Sequence, residues 1–535
     1  MDKCKSIARK YKEIVIPASL VFLYFLFTLV KIRFPGIQYD EILFGNVAVG
    51  GVDHSFIFYK IGNFPFLLMA FIGALKAYLY FPIFKLFGVS TYTIRIPMIF
   101  LAGIALIILY KTLKNCFNQF IASVALLFLS LDASFISYAR YDVGPTTISF
   151  FCKVLVIYYF VKLKENAKIS YSIAMGIVMA LGLFNKLNFI WFINAFAISA
   201  VMVYWPEIKQ IFRVRTDIKR RYIFYLFVFF YILFVAYYLL LNWKFNLTGF
   251  LQISEFPNKI AKNLSSFADL VNGTLFYNFV FGSLKSLVNQ IFAGIIMVLF
   301  FFGLYRVLLK KRFLKEGKFK LYLFFFLIFC LMFIQIFITQ KAIQGWHLFE
   351  LYPFFTILLV AGMTLNWPKD RQIAFSKNLG SVFVILLVLS YQIYLESQYI
   401  EIYDKPVKNI NWSSKIYDLI DYTKSDNRIY VSVDWGTHNQ LISFTGLRNK
   451  YLEIAYGLYQ VNIDEDQRKW LIQEILNPEK NYVLIMYPQE NSTLGMSQTN
   501  LKKIAQEASI RLQKIETFSE GGRVVYELYI PVKAI

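Results

Sequence analysis

Acidic and basic side chains stand just outside long apolar runs at several separate places in this sequence. The first place is QYDEILF, residues 38–44, where Asp40 and Glu41 follow an apolar run that ends near Ile32. A carboxylate at such a position can take a proton from a hydroxyl group as a new bond forms. The same pair could also be ordinary solvated charge on a loop. Asp40 and Glu41 are therefore candidate catalytic residues.

Three further places offer charged groups that could act together with these carboxylates. Arg140 and Asp142 lie in RYD, just before a Gly-Pro pair, and could pair with each other. Lys186, in Asn185-Lys186, lies between two apolar runs and could instead snorkel at a helix end. Cations such as these can balance the charge of a phosphate leaving group. The third place is QKAIQGWHLFE, with the candidates Lys341, His347 and Glu350, and the stretch after Glu41 adds Asp53, His54 and Lys76 as further candidate substrate-binding residues.

Other kinds of chemistry lack their motifs in this sequence. We find no Walker-type glycine-rich loop, no HExxH and no GxSxG. The four cysteines contain no CxxC spacing, so neither disulfides nor a zinc site are expected. No cofactor is expected to be required, but a divalent cation could bind if acidic loop residues converge, with Asp40 and Asp142 as its first ligands.

The composition indicates a chain that lies largely in a membrane. Hydrophobic residues make up 58% of the 535 residues and charged residues 17%, with a mean hydropathy of +0.52. The net charge of +23 comes from short Lys/Arg clusters between apolar runs, which indicates membrane topology and anionic lipid rather than nucleic acid.

Apolar runs of helical length predict about eleven transmembrane helices. The predicted spans are 14–32, 95–111, 119–138, 145–163, 169–184, 189–205, 222–241, 290–308, 320–338, 351–367 and 379–396. If these spans alternate, the basic clusters all fall on one side, which the positive-inside rule makes the cytoplasm. The amino terminus is then cytoplasmic, in a multi-pass protein of the plasma (inner) membrane.

One apolar stretch does not fit a span. The run Ala74 to Gly88 is short and contains Lys76, Lys85 and Pro82, so it is predicted to be an interfacial helix on the outer leaflet. This choice makes residues 33–94 a first outer loop and residues 242–289 a second one. The transmembrane domain is then 1–396, and the polar tail 397–535 is predicted to be an extracytoplasmic α/β domain, with strands in RIYVSVDW, NYVLIMYP and RVVYELYIPV and a helix in LKKIAQEA.

The order of several motifs relative to the spans resembles the GT-C glycosyltransferases, and in particular the family 39-like group of protein O-mannosyltransferases and lipid A aminoarabinose transferases. The motifs are the early YDE, GALKAYLYFPIFKLFGVSTYTIRIP, SYARYDVGP, ALGLFNKLNFIW, GWHLFELYPFF and, in the tail, VSVDWGTHNQL. The resemblance covers most of the membrane part. It implies GT-C architecture and a sugar donor carried on polyprenyl phosphate.

The resemblance also implies roles for individual residues. Asp40 matches the acid that deprotonates the acceptor hydroxyl, with Glu41 orienting the loop or the acceptor. Arg140 and Asp142 match an RxD-like turn that faces the same cavity. Lys186 matches the lysine of a TKG element that here reads NKL, so its glycine-dependent turn is in doubt. His347 and Lys341 would help to hold the lipid phosphate.

The implied reaction is an inverting transfer of a hexosyl or pentosyl group to a lipid, glycan or protein acceptor outside the membrane. A transporter or flippase of a lipid-linked sugar is an alternative, although polar candidates at only one face argue against it. A membrane-anchored adhesion protein is a second alternative, but an anchor needs only one span. In the tail, Trp435 could stack on a sugar or belong to the core of the domain.

Overall fold

The computed structural model describes residues 2–49, 57–213, 218–245, 256–282, 286–309, 316–339, 345–365, 379–460 and 463–534. Asp53, His54 and Lys341 lie outside these residues. The helices are α1 (Asp2–Leu29), α2 (Tyr39–Asn46), α3 (Leu75–Phe87), α4 (Thr91–Cys116), α5 (Gln119–Leu131), α6 (Ala133–Tyr141), α7 (Thr146–Asn166), α8 (Ile169–Asn185), α9 (Ile190–Arg213), α10 (Ile218–Phe245), α11 (Phe256–Val271), α12 (Leu275–Val280), α13 (Leu287–Leu309), α14 (Glu316–Ile338), α15 (Gly345–Leu348), α16 (Phe354–Thr364), α17 (Leu379–Ile402), α18 (Lys415–Lys424), α19 (His438–Thr445), α20 (Ala455–Leu458), α21 (Glu465–Trp470) and α22 (Gly495–Glu507).

The membrane part is a bundle of apolar helices. Within the described residues, seven helices are long and apolar enough to cross a membrane, and the bent pair α5 and α6 makes an eighth candidate. Three shorter apolar helices, 14–29 of α1, α8 and α16, coincide with the remaining predicted spans. Each of the eleven predicted spans therefore overlaps a helix. The polytopic helical fold is confirmed, while the number of crossings stays a prediction.

One predicted span is not continuous. The sequence predicted a single helix over 119–138, but α5 and α6 meet at Asp132 with a bend of 64°. The carboxylate of Asp132 accepts hydrogen bonds from the backbone N–H of Phe135, at 3.0 Å, and from the hydroxyl of Tyr352, at 2.7 Å. A side chain that caps a new helix in this way offers the backbone an alternative to continuing the old one.

The predicted first loop, residues 33–94, contains α2, a small antiparallel sheet and α3. The sheet has the order β1 (Tyr59–Ile61), β2 (Phe64–Met69), β3 (Ile72–Gly73). The helix predicted over Ala74 to Gly88 is present as α3. It buries Lys76 and Tyr80 against the bundle and exposes Leu86 and Phe87, so its lysine at position 76 points inward rather than to solvent.

The tail is an α/β domain around a mixed sheet, as the sequence predicted. The strands are β4 (Ile429–Ser432), β5 (Tyr451–Glu453), β6 (Tyr482–Met486), β7 (Ile510–Glu520) and β8 (Arg523–Lys533), in the order β5-β4-β6-β8-β7. Strand β4 is parallel to β5 and β6, whereas β8 is antiparallel to β6 and β7. Helix α17 continues past the expected boundary at 396 and ends at Ile402.

Candidate functional site

The two adjacent acids of the first loop have different surroundings. Gln38 caps α2. Its side-chain oxygen accepts a hydrogen bond from the backbone N–H of Asp40 at 2.6 Å, and the backbone N–H of Gln38 donates to the carboxylate of Glu41 at 2.9 Å. Arg95 of α4 donates to both carboxylate oxygens of Glu41, at 2.8 Å each, and both side chains are fully buried. Glu41 is therefore enclosed in an ion pair, while Asp40 remains half-buried.

Asp40 faces two lysines from other elements. Desolvation raises the pKa of its carboxyl group to about 6, and the positive charges of Lys186 and Lys76 oppose that rise. Both lysines are thus close enough to Asp40 to act on its ionisation. A carboxyl group with a pKa near 6 is a stronger base than an ordinary aspartate and is still ionised at neutral pH.

Lys76 is held by the turn that follows α6. Its Nζ atom lies 2.9 Å from Oδ2 of Asp142 and donates to the Asp142 carbonyl oxygen at 3.1 Å. The other carboxylate oxygen of Asp142 accepts a hydrogen bond from the backbone N–H of Thr147 at 2.7 Å, which fixes the acid at the start of α7. Because both members of the pair are buried, the interaction is shielded from solvent and its geometry is rigid.

Lys186 joins the same group from the end of α8. Its Nζ atom donates to the carbonyl oxygen of Gly144 at 2.9 Å. Burial lowers the pKa of Lys186, and the negative charges of Glu350, Asp142 and Asp40 partly offset that effect. Lys186 has an extended backbone, with φ −156° and ψ 128°, and forms an isolated antiparallel bridge with Ile72 of β3. The turn therefore has no need of the glycine that NKL lacks.

A buried pair that the sequence did not single out lies beside this group. Lys153 of α7 donates to the carboxylate of Glu350 at 2.8 Å and to its carbonyl oxygen at 2.6 Å, and both residues are buried. Glu350 was a predicted site residue, but Lys153 and Arg95 were missed. Lys153 could have been found from the sequence because it is an ionisable residue inside the predicted span 145–163, and a charge at membrane depth needs a partner.

Arg140 does not point toward Asp40, and it does not pair with Asp142. Its guanidinium group donates to the carbonyl oxygens of Val30, Lys31 and Phe34, at 2.8, 2.5 and 2.7 Å. It therefore holds the chain that leaves α1. The expectation that the RYD turn presents both charges to one cavity is corrected: the helical end of α6 directs residue 140 to one side, and Asp142, with φ 45°, turns to the other.

Of the remaining predicted residues, Asp53, His54 and Lys341 lie outside the described residues, and His347 lies three residues before Glu350. His347 of α15 lies beside Trp191, with ring centroids 6.0 Å apart. In the described part of the chain, no group of three or more His, Cys, Asp or Glu side chains is arranged to hold a metal ion. The positive charge beside Asp40 and Asp142 is supplied by lysines.

The architecture is that of the GT-C membrane proteins. ArnT from Cupriavidus metallidurans, in a crystal structure bound to undecaprenyl phosphate, is similar over 96% of this chain and 97% of its own, with 10% identity and a TM-score of 0.53. The oligosaccharyltransferase AglB from Archaeoglobus fulgidus, in complex with an inhibitory peptide and a dolichol-phosphate, is similar over 98% of this chain and 77% of its own, also with 10% identity and a TM-score of 0.53.

Within this fold, residues 74–243 match the model of the dolichyl-phosphate-mannose-protein mannosyltransferase family. No curated protein matches the sequence. The resemblance to GT-C glycosyltransferases expected from the motifs is therefore confirmed, by the fold of the whole chain and by this segment. The segment contains Lys76, Arg95, Asp142, Lys153 and Lys186, but it begins after Asp40.

Proposed function

We propose that the chain transfers a sugar from a polyprenyl-phosphate donor to an acceptor on the outer face of the membrane. The observation that carries the proposal is Asp40, a half-buried carboxylate on which the positive charges of the buried residues Lys186 and Lys76 act. A base and cations are the two requirements of a reaction that moves a proton from the acceptor while a phosphate leaves. The lipid phosphates bound by the ArnT and AglB structures support this donor class.

In the proposed reaction an acceptor hydroxyl attacks the anomeric carbon of the sugar. The bond between that carbon and the phosphate oxygen breaks, and its electron pair leaves on the phosphate. Asp40 takes the hydroxyl proton as the new bond forms. Attack opposite the leaving group inverts the anomeric centre. The phosphodiester becomes a polyprenyl monophosphate, whose additional negative charge is stabilised by the nearby ammonium group of Lys186.

Five of the predicted residues have supporting parts in this scheme. Asp142 holds Lys76 in place through their 2.9 Å ion pair. Glu350 forms a buried ion pair with Lys153 and acts on Lys186 electrostatically. His347, at the start of the segment that leads into α16, would contact the lipid phosphate together with Lys341. The scheme requires no metal, since lysines supply the positive charge.

The reaction is placed outside the plasma membrane, with the amino terminus in the cytoplasm and the tail on the outer side. This placement rests on the distribution of Lys and Arg between the spans. A donor that is already lipid-linked explains why a nucleotide-binding loop is not needed.

The test is to incubate the purified full-length protein with a panel of undecaprenyl-phosphate sugars, each together with hydroxyl-bearing lipid, glycoside and peptide acceptors, and to measure consumption of each donor and release of undecaprenyl phosphate. The wild-type protein is expected to consume one donor, and Asp40→Asn to lose at least 100-fold in rate, because general base catalysis contributes about 10²–10⁴. Asp421→Asn, in the tail helix α18, is the matched control and should keep the wild-type rate.

Transfer by Asp40→Asn at the wild-type rate would remove Asp40 from the mechanism. Movement of an intact donor across vesicle membranes without release of undecaprenyl phosphate would instead support a flippase.

A further inference from the structure

The C-terminal domain packs directly on the helix that carries Asp40. The side-chain amide of Asn46, at the end of α2, donates to Asn439 of α19 at 2.9 Å, and Ser443 donates back to Asn46 at 3.1 Å. Arg448 donates to the carbonyl oxygen of Val49. These contacts are buried or partly buried, so the domain and the catalytic loop form one junction.

The junction places an aromatic side chain from the tail against the residue before Asp40. Asp434 is buried and fixes its turn by accepting hydrogen bonds from the N–H groups of Trp435 and Leu494, at 2.8 and 2.9 Å, and from Gln498 at 3.1 Å. The turn directs Trp435 onto Tyr39, with ring centroids 4.7 Å apart. Trp435 is only half-buried, so part of its indole ring remains accessible.

A carboxyl group that the proposed reaction does not use lies in the same place. Glu453, at the end of β5, interacts electrostatically with Tyr39. Its Oε1 atom is shielded from solvent and has no hydrogen-bond partner within the described chain. Burial raises the pKa of Glu453 to about 7. An acceptor atom that no protein group satisfies can receive a hydrogen bond from the hydroxyl group of a bound ligand.

The rim of this cluster is aromatic. Tyr456 follows Glu453 by three residues, is 45% exposed and interacts with both Glu453 and Tyr39. Asp40 in turn acts electrostatically on Tyr39 and Tyr456. Apolar ring faces next to a carboxylate match the surface of a sugar or polyol, whose C–H groups form an apolar face and whose hydroxyls project from its edge.

We propose that Trp435, Tyr456 and Glu453 form a subsite for a sugar or polyol acceptor at the junction of the two domains. The acceptor ring stacks on the aromatic side chains, one of its hydroxyl groups donates to Glu453, and another is presented to Asp40. The role of presenting a hydroxyl to Asp40 rests on the proposed function, whereas binding of the ring does not.

Binding is tested directly by saturation-transfer difference NMR on the full-length protein. The probes are methyl α-D-glucopyranoside and methyl α-D-mannopyranoside. An acetylated, amidated Ala-Ser-Ala peptide represents the alternative class of acceptor. Wild-type protein is expected to saturate the ring protons of at least one glycoside. Trp435→Phe should weaken that signal, and Trp435→Ala and Glu453→Gln should reduce it at least five-fold. Trp470→Ala and Tyr459→Phe change exposed aromatic residues of the same domain and should leave it unaltered.

The inference is overturned if wild-type protein saturates neither glycoside, if it saturates only the peptide, or if Trp435→Ala and Glu453→Gln retain the full signal. Glycoside binding by the wild type without any sugar transfer would contradict the proposed function but would still support the subsite. Transfer with an acceptor KM unaffected by Glu453→Gln would contradict the subsite alone.

Discussion

Both carboxylate oxygens of Glu41 are bound by the guanidinium group of Arg95, at 2.8 Å each, one residue away from the half-buried Asp40. Arg95 also donates to the carbonyl oxygens of Ile32 and Gly36, at 2.6 and 3.2 Å. Arg95 of α4 therefore connects Glu41 of α2 with the segment that follows α1. We infer that Glu41 positions Asp40 and does not take part in proton transfer.

Glu41→Ala is expected to destabilise the fold strongly, because it leaves the guanidinium group of Arg95 buried without a counter-charge. Removing one partner of a buried pair costs about 3–5 kcal/mol. The measurement is the unfolding temperature of the purified protein in detergent. Glu401→Ala, which changes an exposed acid of α17, is the control. An unchanged unfolding temperature in Glu41→Ala would contradict the positioning role.

The pH dependence of sugar transfer should report Asp40. Its pKa is raised from 3.8 to about 6, so the rate should fall as pH drops through about 6, because the protonated acid cannot accept the proton. A rate that stays constant between pH 5 and pH 7.5 would contradict this assignment.

The same shift has an effect on stability of defined sign. Because the folded state binds the Asp40 proton more tightly, the associated stability is fully present below about pH 4 and is lost as pH rises through about 6. Asp40→Asn cannot ionise, so this variant does not lose stability as pH rises. At pH 7.5 it should raise the free energy of unfolding by about 1–2 kcal/mol, after allowing for solvent screening, and the gain should vanish near pH 4. The measurement is the free energy of unfolding of wild type and Asp40→Asn at pH 7.5 and pH 4. An Asp40→Asn variant less stable than the wild type at pH 7.5 would contradict the prediction.

Lys186→Ala is expected to weaken binding of undecaprenyl phosphate by about 10–100-fold, since a hydrogen bond to a charged group is worth about 1.5–3 kcal/mol. Affinity can be measured by competition with a fluorescent polyprenyl phosphate. Lys168→Ala, an exposed lysine before α8, is the control. The same assay on His347→Ala tests the second proposed phosphate contact, and unchanged affinity in both variants would defeat the assignment.

Lys153 and Glu350 are expected to behave as one coupled unit. Lys153→Met alone should cost about 3–5 kcal/mol because Glu350 is left as an uncompensated buried charge. The double variant Lys153→Met with Glu350→Gln should recover most of that loss. A double-mutant cycle on the unfolding free energy measures the coupling, and simple additivity of the two single changes would show that the pair is not a unit.

The sequence by itself determined the elements of this protein. The apolar runs predicted the helices, because a helix needs a continuous stretch of such residues to cross the hydrocarbon core, and this pattern is local. The strands of the tail followed from runs of β-branched and aromatic residues in the same way. The motifs also pointed to the GT-C class, and they placed Asp40, Asp142, Lys186 and Glu350 among the candidates.

Only the tertiary structure decided how these charges pair. Sequence spacing left open a pair of Arg140 with Asp142, whereas Asp142 binds Lys76 and Arg140 binds backbone carbonyls near residue 30. The tertiary structure also gave different surroundings to Asp40 and Glu41, which are neighbours in sequence: Arg95 of α4 binds Glu41, whereas Lys76 and Lys186 act on Asp40. The physical reason is that a buried charge takes the partner that packing brings within hydrogen-bond distance, and contacts such as Asn46 with Asn439, 393 residues apart, follow from the assembled fold.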